Sequence, residues 1–469
     1  MVNSMGVSAV IFHNSGKVHQ DNELLSLMNR VENELFLDYL KKLLQIPEID
    51  KVFAVTSVKD HKKLREDLEK LQKLPQQQPQ HPRQQQHPRQ PQQPEPPQHS
   101  KQQHSKQLQQ SKQQQSHQSQ SQSQSQQAQS QRDQRDQSAR SAQHCRTTQL
   151  IQSAQPQTQL EIINSEQEGS FHLGKTLQKL VTDYELDRVL VSGGTALPLM
   201  ETWELGRYIR ELQDRDDFMI TNNPQSGDLI LFHPARLVNE IPQFASDNEL
   251  SNNLRYQAGL PQKLMDKSTA PLFDIDTPVD LLLYYQLTGK PSWLMEEYGH
   301  LFARLQNKLE EVSRIAATDY RELILAGRVS GNIISYINEH LRVRLRIFSE
   351  ERGMKALKRI QERKVSSFMG NLLEDLGPQG LFSYLEKVGE AALIDTRVMF
   401  YHMKRGLPDQ QGADLDRFYS DLFLYEYVQD PVIKEFTKCG YQSSMPLLMG
   451  GHSLVSGGIY ALTSLIYRS

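Results

Sequence analysis

The chain has 469 residues, with 53 basic and 56 acidic side chains and a net charge of -3. That length allows two or three domains, and the charge balance excludes a constitutive nucleic-acid binder, which would carry a basic excess. The only cysteines, Cys145 and Cys439, exclude a disulfide framework and a cysteine-based zinc site.

Residues 1–17 have no basic stretch ahead of their short apolar run, so no signal peptide is expected. No apolar run reaches the length of a bilayer span. The expectation is a soluble, cytoplasmic protein without a nucleic-acid or membrane partner. Residues 8–12 are a short apolar run followed by His13, Asn14, Ser15 and Gly16, which predicts a buried strand ending in a turn. Leu24, Leu27, Met28, Val31, Leu35, Tyr39, Leu40, Leu43 and Leu44 recur at helical spacing, and Pro47 closes that helix. Residues 51–56 predict the next strand and residues 60–74 a charged helix. Strand, crossover helix and strand form a βαβ unit, whose connection length requires parallel pairing.

A glutamine-rich tract interrupts this pattern. Residues 71–140 contain 30 glutamines, and Leu108 is the only large aliphatic residue between Pro75 and Gln149. Such a tract cannot bury enough apolar surface to offset its chain entropy. It predicts a disordered insertion over residues 75–160, looping out of a domain that resumes near Glu161. A protein partner would bind here if the tract is an interaction element.

Beyond the tract a helix closes over residues 177–184, and a strand over 187–191 ends in Ser192, Gly193 and Gly194. Residues 201–212 predict a helix, 218–220 and 228–232 strands, and 235–241 a short helix. Thr277 is placed to cap a helix whose first residue is Pro278 and which runs to Leu287. Alternating strands and helices predict an α/β fold with an open, mostly parallel sheet covered on both faces. From about residue 291 the texture changes to a second, mostly helical α/β or α+β domain. Residues 293–325 read as mostly helical with a break near 317–319, and Ile333, Ile334 and Ile337 mark one face of the next helix. Residues 341–348 alternate as a strand, 365–385 hold a helix or two, 391–397 a strand ending in polar residues, and 415–429 a helix. The expected division is residues 1–74 and 161–290 for the first domain, 75–160 for the insertion and 291–469 for the second domain.

Three stretches carry a family resemblance. The first is Ala9-Val10-Ile11, a helix, and Lys51-Val52-Phe53-Ala54-Val55. The second runs from Val189 through Ser192-Gly193-Gly194-Thr195-Ala196-Leu197-Pro198. The third is Phe273-Asp274-Ile275-Asp276-Thr277-Pro278-Val279-Asp280. Together they resemble the MobA/CofC-like nucleotidyltransferases of the glycosyltransferase-A-like fold, the guanylyltransferases that load molybdopterin or phospholactate-type acceptors. The resemblance implies a nucleoside triphosphate across the carboxyl ends of the strands, a glycine-rich loop after the first strand, a basic residue beside the phosphates, and carboxylates holding Mg²⁺. It places Gly16 in the loop and Lys17 beside a phosphate. The family's metal-binding Asp stands two residues before a Pro, and here that position is Ala196.

Other residues could complete the site, and each has a plain structural alternative. Gly193 and Gly194 follow a strand, where backbone N–H groups hold an anion or simply turn the chain. Asn222 and Asn223 could read a sugar or base, and Asp228 could replace the missing carboxylate; an ordinary polar turn explains them too. Arg255 could hold a phosphate bidentately or belong to a surface network. Asp274 and Asp276 face one side if their segment is extended, and are the best metal pair. Arg342, Arg344 and Arg346 form one cationic face that ion pairs would answer. Glycines at 450, 451, 457 and 458 suit either a phosphate or close backbone packing. The expectation is transfer of a nucleotidyl group to a phosphorylated small acceptor, with a noncatalytic nucleotide- or nucleotide-sugar-binding regulator as the alternative and an interaction protein acting through the tract as the third.

Overall fold

The structure is a computed structural model that describes residues 6–13, 22–56, 62–73, 158–164, 172–223, 227–355, 357–410 and 412–468. Residues 74–157, nearly all of the expected insertion, lie outside the described residues, as do Gly16 and Lys17. No described helix is long and apolar enough to cross a membrane.

The first sheet region runs β1 Val7–His13, α1 Glu23–Leu44, β2 Ile49–Thr56, α2 Lys62–Lys73, β3 Gln159–Asn164, α3 Leu173–Asp183, β4 Val189–Gly193 and α4 Thr202–Gln213. It continues with β5 Phe218–Thr221, β6 Leu229–His233, a 3-10 turn at Ala235–Asn239, α5 Asp247–Tyr256, β7 Gln262–Leu264, α6 Thr269–Leu272 and α7 Pro278–Thr288. The strand order is β3-β2-β1-β4-β6-β5-β7, and β6 alone runs antiparallel to its neighbours. This is an open, mostly parallel α/β sheet, and the βαβ pairing of β1 with β2 is parallel as expected.

The sequence explains why both faces are covered. Val7, Ala9 and Ile11 of β1 point into one apolar layer, Val10 and Phe12 into the other, and β2 divides Val52 and Ala54 from Phe53 and Val55 in the same way. A strand apolar on both sides needs helices on both sides. Helix α1 begins at Asn22, whose side chain accepts the Leu25 N–H at 3.1 Å. Its second half, including Phe36, Leu40 and Leu43, covers the first sheet. Its first half, Leu24, Leu27, Met28 and Val31, packs instead into the core of the second region.

That second region runs α8 Leu294–Ala316, β8 Glu322–Gly327, α9 Gly331–His340, β9 Arg344–Ser349, α10 Phe368–Val388, β10 Ala391–Asp395, α11 Thr396–His402, α12 Ala413–Asp421, α13 Pro431–Gln442, β11 Leu447–Gly450 and α14 Gly457–Arg468. Its four strands are all parallel, in the order β11-β10-β8-β9. The expected helical reading of residues 293–325 holds only to Ala316. Leu323, Ile324, Leu325 and Ala326 are a buried central strand. A short apolar run after a long helix does not reveal its own type, because burial on all sides erases periodicity. Helix α12 is shorter than the helix expected over 415–429, and β7, β11 and α13 were not anticipated.

The close approach at residues 450–458 is a packing device. A Cβ on Gly457 would lie 2.0 Å from the Leu272 carbonyl oxygen, and one on Gly451 2.9 Å from Thr277 Cγ2. Gly457→Ala should therefore cost ~1–3 kcal/mol through forced backbone displacement. Gly299, inside α8, has only the Met295 sulfur at 4.0 Å, so Gly299→Ala should stabilise by ~0.5–1 kcal/mol through helix propensity. Urea unfolding of both variants checks the opposite signs.

Candidate functional site

The carboxyl ends of β1, β4 and β5 and the start of the antiparallel β6 share one edge of the first sheet. Two polar segments meet there. In the first, Asn222 follows β5 and Asp228 precedes β6. The Asn222 side-chain oxygen accepts from the N–H groups of Asp228 at 3.0 Å and Leu229 at 3.2 Å, while its Nδ2 donates to Asp228 Oδ2 at 3.0 Å. Asn222 therefore ties the β5–β6 connection, and its carbonyl is not available to read a base. Asn223 and Asp228 line a cavity of about 200 Å³.

The second segment is Phe273 to Thr277, which precedes α7. Phe273 and Ile275 are buried in the core of the second region, and Asp274 and Asp276 alternate outward into the same cavity. The alternation expected from extended backbone is present. Thr277 caps α7, and its hydroxyl donates to Asp280 Oδ2 at 2.7 Å. Asp280 also accepts the Asp276 N–H at 3.2 Å, so it serves the helix start and not the cavity.

Burial and neighbouring charge raise Asp228, Asp274 and Asp280. Burial pushes Asp228 up to about 7, and the charges of Asp247 and Asp276 add to it. Burial, then Asp276 and Asp228, hold Asp274 well above the usual carboxylate range. Burial followed by Asp276 brings Asp280 to about 8 and Glu32 of α1 to about 7. Asp247 at the start of α5 is also raised, chiefly by burial.

The opposite wall of the cavity comes from the second region and is cationic or neutral. It includes Ser330, Arg352, His452 and Ser453, with Lys267 from the first region bonded to Asn332 at 2.8 Å. Burial, with the charge of Arg328 adding, lowers His452 to about 3, so its imidazole is neutral. Burial and the neighbouring Arg328 also lower Arg352. Sequence reasoning pointed to the neighbouring arginine face at 342–346 and the glycines around 450–458 without bringing Arg352 and His452 together. It missed Arg328 because β8 was read as helix; a Gly-Arg pair ending a buried strand was the available cue.

The remaining expected residues divide. Gly193 lies beside Asp228, donating its N–H to the Asp228 carbonyl at 3.4 Å. Gly194 turns away: its N–H donates to Phe12 O at 2.8 Å, and a Cβ there would meet Phe36 and His13. It lines a different cavity of about 260 Å³ with Lys42, Ala196 and Lys290. The expected glycine pair thus does not act as one cradle. Arg255 is not brought to the site: it is exposed on the last turn of α5, its guanidinium 5.0 Å from the Tyr256 ring centre. Ala196 is buried, and among the described residues the carboxylates lining that cavity are Asp38 and Glu201. Arg344 and Arg346 both pair with Glu322, at 3.1 and 2.8 Å, and Arg342 pairs with Asp319. Ion pairs explain that arginine face.

No model of a known protein family matches the chain, and no curated protein matches it. Among solved structures, it is similar to a "putative nucleotide-diphospho-sugar transferase" from Desulfovibrio desulfuricans G20, with 12% identity and a TM-score of 0.30, over 62% of this chain and 90% of that one. The fold assignment rests on the strand order and pairing above.

Asp228 ionises near 4 when unfolded and near 7 when folded. Between those values the folded state binds more protons, so this group's contribution to stability falls as pH rises. In metal-free buffer, the melting temperature of Asp228→Asn relative to the parent should increase from pH 4.5 to pH 8, by at least ~2 °C. A pH-independent difference would contradict the assignment.

Proposed function

We propose that the chain is a nucleotidyltransferase-like protein that moves a nucleotidyl group from a nucleoside triphosphate to a phosphorylated small acceptor. The observation that carries this reading is one cavity with a carboxylate wall of Asp228, Asp274 and Asp276 and a facing wall that contains Arg352. A carboxylate wall suits a metal-bound triphosphate, and a guanidinium suits an acceptor phosphate.

The donor set fits Mg²⁺. Asp274 and Asp276 are hard oxygen donors directed into one space. Among the described residues no three His, Cys, Asp or Glu side chains close around a common point. An ion held by one or two carboxylates and completed by substrate phosphates needs no such cage. When bound, Mg²⁺ would be held by Asp274 and Asp276, with Asp228 beside them, and would neutralise phosphate charge.

The chain's own groups would position the reactants. An oxygen of the acceptor phosphate attacks the α-phosphorus of the nucleotide. The new P–O bond forms as the bond to the β-phosphate oxygen breaks, and pyrophosphate leaves with that electron pair. No protein nucleophile is needed, so positioning and charge are the catalytic means. Gly193 leaves room for close approach beside Asp228, since among the described residues nothing lies within 4 Å of a Cβ built there. Gly16 and Lys17 are further proposed contacts to the phosphates.

Ala196 favours a second reading, a noncatalytic nucleotide- or nucleotide-sugar-binding regulator. Thermal shifts against nucleoside triphosphates and sugar nucleotides, with and without Mg²⁺, separate the two. The transferase reading expects a selective, Mg²⁺-dependent shift that falls at least tenfold in affinity in Asp274→Ala or Asp276→Ala, together with pyrophosphate release on adding acceptor. Tight binding indifferent to Mg²⁺, without pyrophosphate release, supports the regulator. The absence of any shift sinks both.

A further inference from the structure

We propose that the carboxyl edge of the second sheet is a phosphate site, with Arg352 as its main ligand, and that it receives the oxyanion of the acceptor. In naming the acceptor the inference rests on the transferase reading; as an anion site it stands alone.

Topology opens the crevice. After β8 the chain places β9 on one side, and then β10 on the other. Connections leaving neighbouring parallel strands in opposite directions open a space beyond their carboxyl ends, the usual ligand position in such sheets. Here β8 ends in Gly327-Arg328 and β10 in Asp395. Gly327 has φ of 120°, and a Cβ on it would lie 2.3 Å from Asp395 Cβ. That close approach lets the Arg328 side chain grip Asp395, Nε to Oδ2 at 2.5 Å and Nη2 to Oδ1 at 3.0 Å. The Asp395 side chain is fully buried. Burial alone would raise its pKa, yet Arg328 holds it below the usual carboxylate range.

Asp395 is thereby occupied, and Arg352 is left over. Its guanidinium is half-buried, within reach of the like charge of Arg328, and makes no hydrogen bond or ion pair with the described residues. A desolvated, unanswered guanidinium is costly to keep. A doubly charged oxyanion answers both cations, and the planar fork of arginine matches it bidentately.

Two independent features point at the same space. The Nε2 atom of His452 is buried and has no partner among the described residues. Helix α9, ten residues long, opens on the cavity through Ser330, whose side chain makes no capping bond. Its first residue, Gly331, has nothing within 4 Å of a built Cβ. An uncapped helix start favours an anion through its free N–H groups and dipole. Arg352, Ser330 and His452 line the cavity that Asp274 and Asp276 line from the other side. An acceptor phosphate held here would face the proposed triphosphate.

The test is a thermal-shift titration of the full chain with inorganic phosphate, at constant ionic strength and without divalent cations. The expected result is a saturable rise in melting temperature. Arg352→Gln should weaken phosphate at least tenfold and Arg352→Lys should recover part of it. Gly331→Asp, which puts a carboxylate into the open space at a helix start that favours one, should also weaken phosphate while remaining folded. Asp274→Asn should lose the response to Mg²⁺-nucleotide and keep the response to phosphate. Equal phosphate responses in the parent and Arg352→Gln, or no saturable response in the parent, would overturn the site. An Arg352-dependent phosphate response with no nucleotide response leaves the site standing and removes the transferase reading alone.

Discussion

Helix α7 is buried over seven consecutive residues, Pro278 to Tyr284, and everything around the cavity depends on that burial. A helix apolar all round must be enclosed by other elements. It closes the first sheet region in sequence, yet its side chains belong to the same apolar cluster as β8, β10 and β11. Leu281, Leu282 and Leu283 have no exposed surface, and burying each contributes ~1.5–3 kcal/mol. The helix packs against α8, α12, β11 and α14, so the second region cannot loosen without exposing it. Gly451 and Gly458 leave room for the Thr277 and Leu283 side chains, and Gly457 for the backbone of Leu272 ahead of the helix.

Rigid placement of α7 explains how the cavity tolerates its charge. Asp274 and Asp276 stand on the segment leading into α7, alternating with Phe273 and Ile275, which are anchored in the core. Apolar anchorage holds the carboxylates in a low-dielectric crevice against their mutual repulsion, and the raised proton affinity of Asp274 records the cost. Across the cavity, the pairing of Arg328 with Asp395 leaves Arg352 unanswered. Deeper in the same region Arg397 and Asp421 make a bidentate pair at 2.9 and 2.6 Å, both nearly without exposed side-chain surface. That pair is complete and holds α11 to α12. Arg352 and the Nε2 of His452 line the cavity without a partner among the described residues, which is the pattern expected of a site whose ligand supplies the missing contacts.

The first sheet was legible because its strands and helices alternate clearly, with Thr277-Pro278 marking a helix start and Pro47 a helix end. The paired outward direction of Asp274 and Asp276 followed from period-two geometry alone. Asn222 was misjudged because its partners, the N–H groups of Asp228 and Leu229, become neighbours only through the antiparallel turn. Arg255 stayed open between a phosphate contact and a surface network because helical spacing does not say which side of α5 faces the cavity. The glycines at 193 and 194 are adjacent in sequence but open onto different spaces, since one continues the strand edge and the other backs onto His13 and Phe36.

By itself the sequence determined the α/β class, the parallel pairing of β1 with β2, the capped start of α7 and the presence of two outward carboxylates. These depend on local periodicity, capping and connection length, which neighbouring residues encode. Only the tertiary structure decided that β8 is a strand, that α7 packs into the core of the second region, and that Asp228, Asp274 and Asp276 confront Arg352 and His452. Those residues lie on separate elements far apart in the chain. The packing of one apolar core brings them together, and no local pattern specifies which charges that packing leaves without partners.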